Sequence, residues 1–153
     1  MKSKILVLFM LIIPILSCAQ TRLLNSLPTG DGVSKAYIGP AMMSMAKGMV
    51  GDYGAEFKDM VKDIKSVEVY SCESKKLFDT VADKFSKLLE SLNTEELVYS
   101  EEDCEVSQIY IVSDNNNEPT AMLIYNSDKD FDEINIVVIH GKIIKGALPG
   151  ATD

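Results

Sequence analysis

Four closely spaced methionines, Met42, Met43, Met45 and Met49, are the side chains of this sequence with the most unusual chemistry. On a helix, Met42, Met45 and Met49 share one face, so their three thioether sulfurs could converge. Thioethers are soft ligands that suit Cu(I), which makes these three residues a candidate metal site. Methionine also fills irregular gaps in cores, and no histidine or cysteine lies beside the cluster. The pattern favours core packing over metal binding.

His140 is the only histidine, so any histidine-dependent catalysis would have to use it. It follows Ile134, Ile136 and Val138 at a spacing of two, which places it on an apolar strand face near the end of the strand. No nucleophile signature of the G-x-S-x-G type accompanies it. We interpret His140 as a structural residue and expect no catalytic site.

An acidic turn formed by Asp128, Asp130, Asp132 and Glu133 raises the hypothesis of a calcium site. An EF-hand loop needs glycine at its sixth position and glutamate at its twelfth, where this chain has Glu133 and Ile139. A solvated turn is therefore the better interpretation. The glycines also lie outside the spacings of phosphate-binding loops, and we expect no cofactor.

The charge of the chain excludes one class of partner. It has 23 acidic and 15 basic residues, a formal net charge of −8, and Arg22 is its only arginine. A phosphate backbone requires a basic surface that neutralises several phosphates. We therefore expect no nucleic-acid partner and interpret the acidity as a source of solubility.

The first residues of the chain carry an export signal. Lys2 and Lys4 precede an apolar run from Ile5 to Leu16, which leads into Ser17-Cys18-Ala19. A basic start, an apolar core too short to span a bilayer and small residues at its end are typical of a secretory signal peptide.

Two cleavage sites fit this signal. Cleavage before Cys18, as in a bacterial lipobox, would remove residues 1–17 and leave a lipidated cysteine that anchors the protein in a membrane. Cleavage after Ala19 would release a free periplasmic or secreted protein. The cysteine directly after the apolar run favours the first alternative, so we expect lipidation at Cys18 and a periplasm-facing lipoprotein of the cell envelope.

Cys72 and Cys104 are the remaining thiols, and two cysteines in an exported domain are candidates for one disulfide. The predicted strands bring both residues to the same end of the sheet. Spacing alone does not fix the distance between their Cα atoms, so two unpaired thiols remain the alternative.

Hydrophobic periodicity predicts mixed secondary structure. Strands are expected at Val33–Ile38, Ser66–Cys72, Glu96–Ser100, Val106–Val112, Thr120–Tyr125 and Glu133–Ile139, with polar turns at 114–119 and 126–132. Helices are expected from Pro40, over Ala55–Ile64, and after the N-cap Ser74, where Leu77, Val81, Phe85, Leu88, Leu89 and Leu92 recur at helical spacing.

This order of elements predicts an α+β fold. We expect a single domain over residues 33–145, with a mainly antiparallel sheet of about five to six strands and two to three helices packed on one face. Residues 18–32 are expected to form a weakly ordered tether, and residues 146–153 a flexible tail.

The last strands are apolar on both faces, with Ile134, Ile136 and Val138 on one side and Val137 and Ile139 on the other. Helices cover one face of a sheet well. The second face is buried either within the chain, which is the default, or by a protein partner or second copy of the chain.

The segment Gly32–Ile38, the methionine-rich helix after it, the leucine-patterned helix and the closing strand Ile136–Ile143 resemble the domain of unknown function 4252 family. The resemblance covers residues 27 to 144 and lies in the pattern and order of elements. It implies a small exported protein of the kind found in Bacteroidota. The family has no assigned activity, so no functional residue is carried over.

Together these observations favour a non-catalytic binding or interaction module that is exported and lipid-anchored in the envelope. The alternative is a soluble periplasmic metal-handling protein of the Cu(I) type that uses Met42, Met45 and Met49.

Overall fold

The computed structural model describes residues 22–46 and 61–143 of the chain. A short 3-10 helix, Leu23–Ser26, precedes the main elements. In chain order these are β1 (Val33–Ile38), α1 (Pro40–Ala46), β2 (Val61–Glu73), α2 (Phe78–Ser91), β3 (Asn93–Glu102), β4 (Glu105–Ser113), β5 (Pro119–Asp128) and β6 (Glu133–Ile143).

The six strands form one antiparallel sheet in the order β1-β2-β6-β5-β4-β3. The α+β fold predicted from the sequence is therefore confirmed. Consecutive strands β3 to β6 are joined by short turns, whereas β6 inserts between β2 and β5. The strands at the two edges of the sheet are β1 and β3.

Three tight turns connect the meander, and each contains an acidic or amide residue in the left-handed backbone region. These residues are Asp103, Asn117 and Asp132, with φ angles of 50°, 61° and 54°. Asp and Asn tolerate this region because their short polar side chains bond the local backbone. Aspartate and asparagine therefore occur in these turns because the backbone there needs residues that tolerate a positive φ angle.

Helix α2 covers one face of the sheet, and the main core lies between them. Its apolar side, formed by Phe78, Val81 and Phe85, is buried against strand residues such as Ile136. The ring of Phe85 stacks on Tyr125 with 4.4 Å between centroids and 10° between planes. A leucine-patterned amphipathic helix placed on an apolar sheet face is the arrangement that its periodicity predicts.

The N-terminal lead, residues 22–32, differs from the tether expected from the sequence. Leu24 and Leu27 are each only 3% exposed and belong to the main core. Turn-forming residues at 28–32 indicated a loose segment, but burial of two leucines outweighs that local signal. The lead is part of the folded domain, and the predicted start of the domain at residue 33 is too late.

Several further boundaries differ from the predictions, since each strand after β1 is longer than predicted. The expected helix over Ala55–Ile64 is wrong at its end, because residues 61–64 belong to β2. The expected turn over residues 126–132 is shorter, since β5 continues to Asp128. Helix α2 begins at Phe78 rather than after Ser74, whose carbonyl oxygen instead accepts the N–H groups of Leu77 and Phe78. Each error lies at an element boundary, where local pattern is weakest.

Candidate functional site

The sheet face opposite α2 is graded from acidic to apolar, and we call it the graded face. Strand register arranges its side chains in four rows that cross the sheet. The acidic row contains Glu73, Glu133, Asp128, Glu105 and Glu102; the polar row contains Ser34, Ser71, Asn135, Asn126, Ser107 and Ser100. Two apolar rows follow, with Ala36, Val69, Val137, Ile124, Ile109 and Val98 in one and Ile38, Val67, Ile139, Met122 and Ile111 in the other.

The acidic row places like charges directly opposite one another on five neighbouring strands. Opposed side chains in an antiparallel pair lie about 5 Å apart, so their carboxylates repel each other. Within residues 22–46 and 61–143, the only ion pair is the one between His140 and Glu68, on the other face. The acidic row thus has no intramolecular cation bound to it in the described part of the chain, and its field extends into solvent.

A shallow cavity of about 270 Å³ lies over the acidic and polar rows on β3 to β6. Carboxylates and small polar side chains line it, including Glu105, Ser107, Asn126 and Glu133. The Ser107 hydroxyl donates to the Asn126 side-chain oxygen at 2.7 Å, and the Asn135 amide donates to Glu133 at 2.5 Å. The cavity therefore offers hydrogen-bond acceptors and negative charge on a rigid sheet surface.

Replacing Glu105 with glutamine tests the repulsion in the acidic row. Glu105 is exposed and lies between Glu102 and Asp128. Because the change removes one of three neighbouring like charges, we expect the free energy of unfolding to rise by about 0.2–1 kcal/mol. Urea denaturation at low and high salt measures it, and the gain should shrink as salt screens the row. An equal or larger gain at high salt would contradict this account.

A second polar cluster, which we call the clamp, holds the lead against the other face of the sheet. The Glu68 carboxylate accepts the backbone N–H groups of Leu23 at 3.0 Å and Leu24 at 3.1 Å. The Lys35 ammonium donates to the carbonyl oxygens of Leu24 at 3.2 Å and Leu27 at 2.7 Å. Side chains of the sheet thus bind donors and acceptors of the lead backbone at the same time.

Two aromatic residues complete the clamp. The Tyr70 hydroxyl donates to the carbonyl oxygen of Pro28 at 2.9 Å, and burial raises the pKa of Tyr70 to about 12. The Arg22 guanidinium lies 4.0 Å from the centroid of the Tyr37 ring. The clamp therefore extends over most of the lead, from Arg22 to Pro28.

Glu68 is nearly fully buried and forms a 2.7 Å hydrogen bond with Nε2 of His140. Burial alone would raise the pKa of Glu68, but the bond to His140 and the N–H groups of Leu24 and Leu23 hold that pKa below its usual value. Glu68 is therefore a carboxylate at neutral pH. His140 binds Glu68, which agrees with the interpretation of His140 as a structural residue. It lies within β6 rather than at its end, because the strand continues three residues beyond it.

Ser66 lies opposite His140 across β2 and β6, which brings serine, histidine and glutamate close together. These are the residue types of a nucleophilic triad. The Ser66 hydroxyl is fully buried, however, and it forms no hydrogen bond within the described part of the chain. A nucleophile needs both a base within hydrogen-bond reach and access to substrate, so this geometry is that of a structural cluster.

Comparison with protein families identifies the chain. The family model for a domain of unknown function, DUF4252, matches residues 29–148. The chain belongs to the DUF4252 family. No curated protein and no solved structure matches it.

The family match spans the sheet and α2 of this DUF4252 protein but begins after Leu24 and Leu27. The clamp therefore joins the family domain to a segment that precedes the match. Membership confirms the resemblance seen in the sequence, and it assigns no role to any residue.

The two cysteines of this DUF4252 domain are free thiols, which corrects the disulfide candidate. Cys72 lies near the end of β2, and Cys104 lies in the turn between β3 and β4, at the same end of the sheet. Strands β6 and β5 separate β2 from β4, a distance of about 14 Å at the usual strand spacing. A disulfide requires Cα atoms within about 7 Å, so the order of the strands keeps these two thiols apart, and the alternative of two unpaired thiols describes the structure.

Both thiols also have a pKa above the usual value for cysteine. A hydrogen bond from Cys104 to Asp130, together with the negative charge of Asp130 and its acidic neighbours, raises the pKa of the Cys104 thiol. Burial raises the pKa of the Cys72 thiol. Because the thiolate is the reactive species, neither cysteine is activated.

The other predicted site residues lie partly outside the described residues. Cys18, Met49 and the side chain of Met45 are among these, so lipidation and Cu(I) binding remain predictions. Met42 is described, and its side chain is 61% exposed on α1, which does not support core packing at this position.

The acidic turn after β5 has the local structure of a solvated turn. The Asp128 carboxylate accepts the N–H groups of Asp130 at 2.9 Å and Phe131 at 3.3 Å, so it caps its own turn. Within the ranges that the structure describes, no group of three or more His, Cys, Asp or Glu residues is placed to hold a metal ion. Among the helices of those same ranges, none has the length and apolar character needed to cross a membrane.

Sequence reasoning missed both the graded face and the clamp. The rows are formed by residues from five or six strands, and their alignment depends on register, which single-strand patterns do not contain. The one available signal was the repeated order acidic, polar, apolar along β4 and β6 and its reverse along β3 and β5. The sequence does not indicate the clamp role of Lys35 and Glu68, because each occupies a position that is typical of an exposed side chain in an alternating strand.

Proposed function

We propose that this DUF4252 protein is an exported, lipid-anchored envelope protein that acts by binding rather than catalysis. Its binding surface is the graded face, and its partner is a basic polypeptide segment that also carries apolar side chains. The observation that carries the proposal is the alignment of an acidic row, a polar row and two apolar rows on one rigid face.

The N-terminal sequence supports export and lipid anchoring. Lys2 and Lys4, the apolar run Ile5–Leu16 and Cys18 form the pattern of a lipoprotein signal. Acylation of Cys18 would retain the protein at a membrane surface, where partners are confined to two dimensions.

The charge and exposure of the graded face support the nature of the partner. Carboxylates of the acidic row attract a cationic segment, and their mutual repulsion is relieved when it binds. The apolar rows reach solvent only at the edges of the sheet, where Ile38 is 38% and Val98 is 44% exposed. Between these edges Met122 and Ile111 are fully buried in a second core cluster with Ile143. A partner that combines lysine or arginine with aliphatic residues matches the acidic row and the exposed edges of the apolar rows.

The hydrogen bonding of the clamp supports a role without catalysis. Glu68 and Lys35 are bound to the lead backbone and His140 is bound to Glu68, so their polar atoms serve folding. The cysteines have raised pKa values, and Ser66 is buried without a base. Each of these groups is in a state that disfavours nucleophilic chemistry.

Comparative capture from the native envelope tests the proposal. The wild-type protein and the Glu105→Lys/Glu133→Lys variant are used as baits, and bound proteins are quantified by mass spectrometry. We expect a specific partner to be enriched at least tenfold by the wild type over the variant, because two charge reversals disrupt the acidic row. The intact mass of each bait shows whether Cys18 is acylated.

Asp79→Lys/Asp83→Lys on α2 is the matched control, since it makes the same charge change at exposed positions on the other face. It should retain the partner. The interacting segment of the partner should carry net positive charge. Equal loss with both variants, an acidic interacting segment, or a second copy of this chain as the only bound protein would each overturn the proposed surface.

A further inference from the structure

The end of the sheet from which the N-terminus leaves has a surface unlike the rest of the molecule. Five exposed side chains define this N-terminal corner: Arg22, Ile38, Met42, Lys65 and Lys142. Ile38 ends β1, Met42 lies on α1 just after it, and the two lysines lie where β2 begins and β6 ends. Strands β1, β2 and β6 are neighbours in the sheet, so these residues lie toward one end of it. Lys142 is level with Lys62 and Ile38 with Val67, so the corner extends over about 15 Å along the strands.

The corner combines apolar and basic side chains in an otherwise acidic protein. Met42 is 61% exposed, and it is one of the few large apolar side chains left open to solvent in the described part of the chain. Such a combination fits the interface of an anionic bilayer, where apolar groups enter the headgroup region and cations pair with lipid phosphates.

The opposite end of the sheet is negatively charged. It carries the acidic row and the turns that contain Asp103, Asp130 and Asp132, and these carboxylates outnumber its lysines, Lys75, Lys76 and Lys129. An anionic bilayer repels that end and attracts the N-terminal corner, so the charge distribution orients the domain. The turn between β4 and β5 lies at the same end as the corner and carries Asp114 and Glu118, which confines the attractive surface to the β1, β2 and β6 side.

The clamp fixes the position of the corner relative to the N-terminal lipid anchor. It fixes Arg22 on the ring of Tyr37 at the corner, and Leu24 is buried immediately after it. Only residues 19–21 separate Arg22 from Cys18. The four steps from Cys18 to Arg22 span at most about 14 Å, so a lipid on Cys18 holds Arg22 within about that distance of the headgroups.

We propose that the N-terminal corner docks on an anionic lipid surface and that the acidic end of the sheet points away from the membrane. This orientation rests on the proposed lipid anchor, and it deepens the proposed function. It leaves the acidic half of the graded face accessible to partners from the periplasm.

Single-tryptophan variants test the orientation, because the natural chain contains no tryptophan. Met42→Trp places the probe at the corner, and Phe131→Trp places it at the opposite end, where Phe131 is 77% exposed. Full-length protein is incorporated into vesicles of phosphatidylglycerol and brominated phosphatidylcholine. We expect about a twofold loss of fluorescence for Met42→Trp and no loss for Phe131→Trp, because bromine quenches only probes within the bilayer interface.

Charge variants in the Met42→Trp background separate docking from mere proximity. Lys65→Glu/Lys142→Glu should abolish most of the quenching, whereas the matched control Lys75→Glu/Lys76→Glu, at the opposite end of β2, should leave it unchanged. Quenching of Phe131→Trp, absence of quenching in both probes, or equal sensitivity to both lysine pairs would overturn the inference.

A second arrangement distinguishes failure of this inference from failure of the lipid anchor. The same tryptophan variants, beginning at residue 19 with an N-terminal histidine tag, are held on vesicles by a nickel-chelating lipid. Vesicle flotation of the full-length protein reports the natural anchor independently. Flotation without Met42→Trp quenching contradicts docking alone, and quenching of the tagged protein without natural flotation contradicts the anchor alone.

Discussion

Replacing Glu68 with alanine is expected to lower the free energy of unfolding by about 3–5 kcal/mol, because it removes a buried carboxylate that binds three hydrogen-bond partners. The carboxylate is nearly fully buried, and it accepts hydrogen bonds from the backbone N–H groups of Leu23 and Leu24 and pairs with His140. Its removal leaves all three partners without an acceptor in a desolvated site. The lead should detach from the sheet before the domain unfolds.

Urea denaturation and limited proteolysis of the lead measure this effect. Glu90→Ala, at an exposed position of α2, is the control and should change stability by less than about 0.5 kcal/mol. An equal effect of Glu68→Ala and Glu90→Ala would show that the clamp contributes nothing.

The clamp also gives stability a defined dependence on pH. The pKa of Glu68 is lower in the folded protein than its usual value, so the folded state favours the carboxylate. Its contribution is therefore complete above the usual glutamate pKa of about 4.3, and it is lost as pH falls through the lower folded value. Glu68→Gln should remove this part of the acid transition while leaving the rest of the curve in place.

Replacing Leu24 with alanine is expected to lower the free energy of unfolding by about 2–4 kcal/mol, through lost burial and the cavity that remains. Leu24 is 3% exposed and belongs to the main core, although it precedes the first strand and the start of the family match. Thermal denaturation measures the effect. Asn25→Ala changes the exposed neighbour and should leave the melting temperature within about 2 °C of the wild type.

A negligible effect of Leu24→Ala would mean that the lead is the loose tether that its turn-rich sequence indicated. A large effect would confirm that the folded unit begins upstream of β1. The result also bears on the membrane orientation, since a detached lead would add about ten residues of flexible chain between the anchor and the sheet.

The elements that sequence reasoning located well have strong local patterns. Val33–Ile38 was predicted with both its boundaries, and α2 was identified by its leucine spacing. Pro40 begins α1 as its fixed φ predicts. These patterns report which face of an element is apolar, and that information is sufficient for the α+β fold.

What the sequence did not contain is the order and register of the strands. The Cys72–Cys104 disulfide was a candidate beside two unpaired thiols because both cysteines lie at the same end of the sheet, but β6 and β5 lie between their strands. Lys35 and Glu68 appear in the sequence as alternating polar residues, yet they contact a lead that local patterns assigned to solvent. Such contacts are set by tertiary packing, which overrides local preference.

Cross-linking from Asn126 in living cells tests the central claim of a binding surface on the graded face most directly. Asn126 is exposed, lies in the polar row and lines the cavity. A photoreactive phenylalanine at position 126 should cross-link to a polypeptide through a basic segment, and the same probe at Asp83 on α2 should not. Cross-links of equal yield from both positions, or no polypeptide cross-link from position 126, would contradict the graded face as the binding surface.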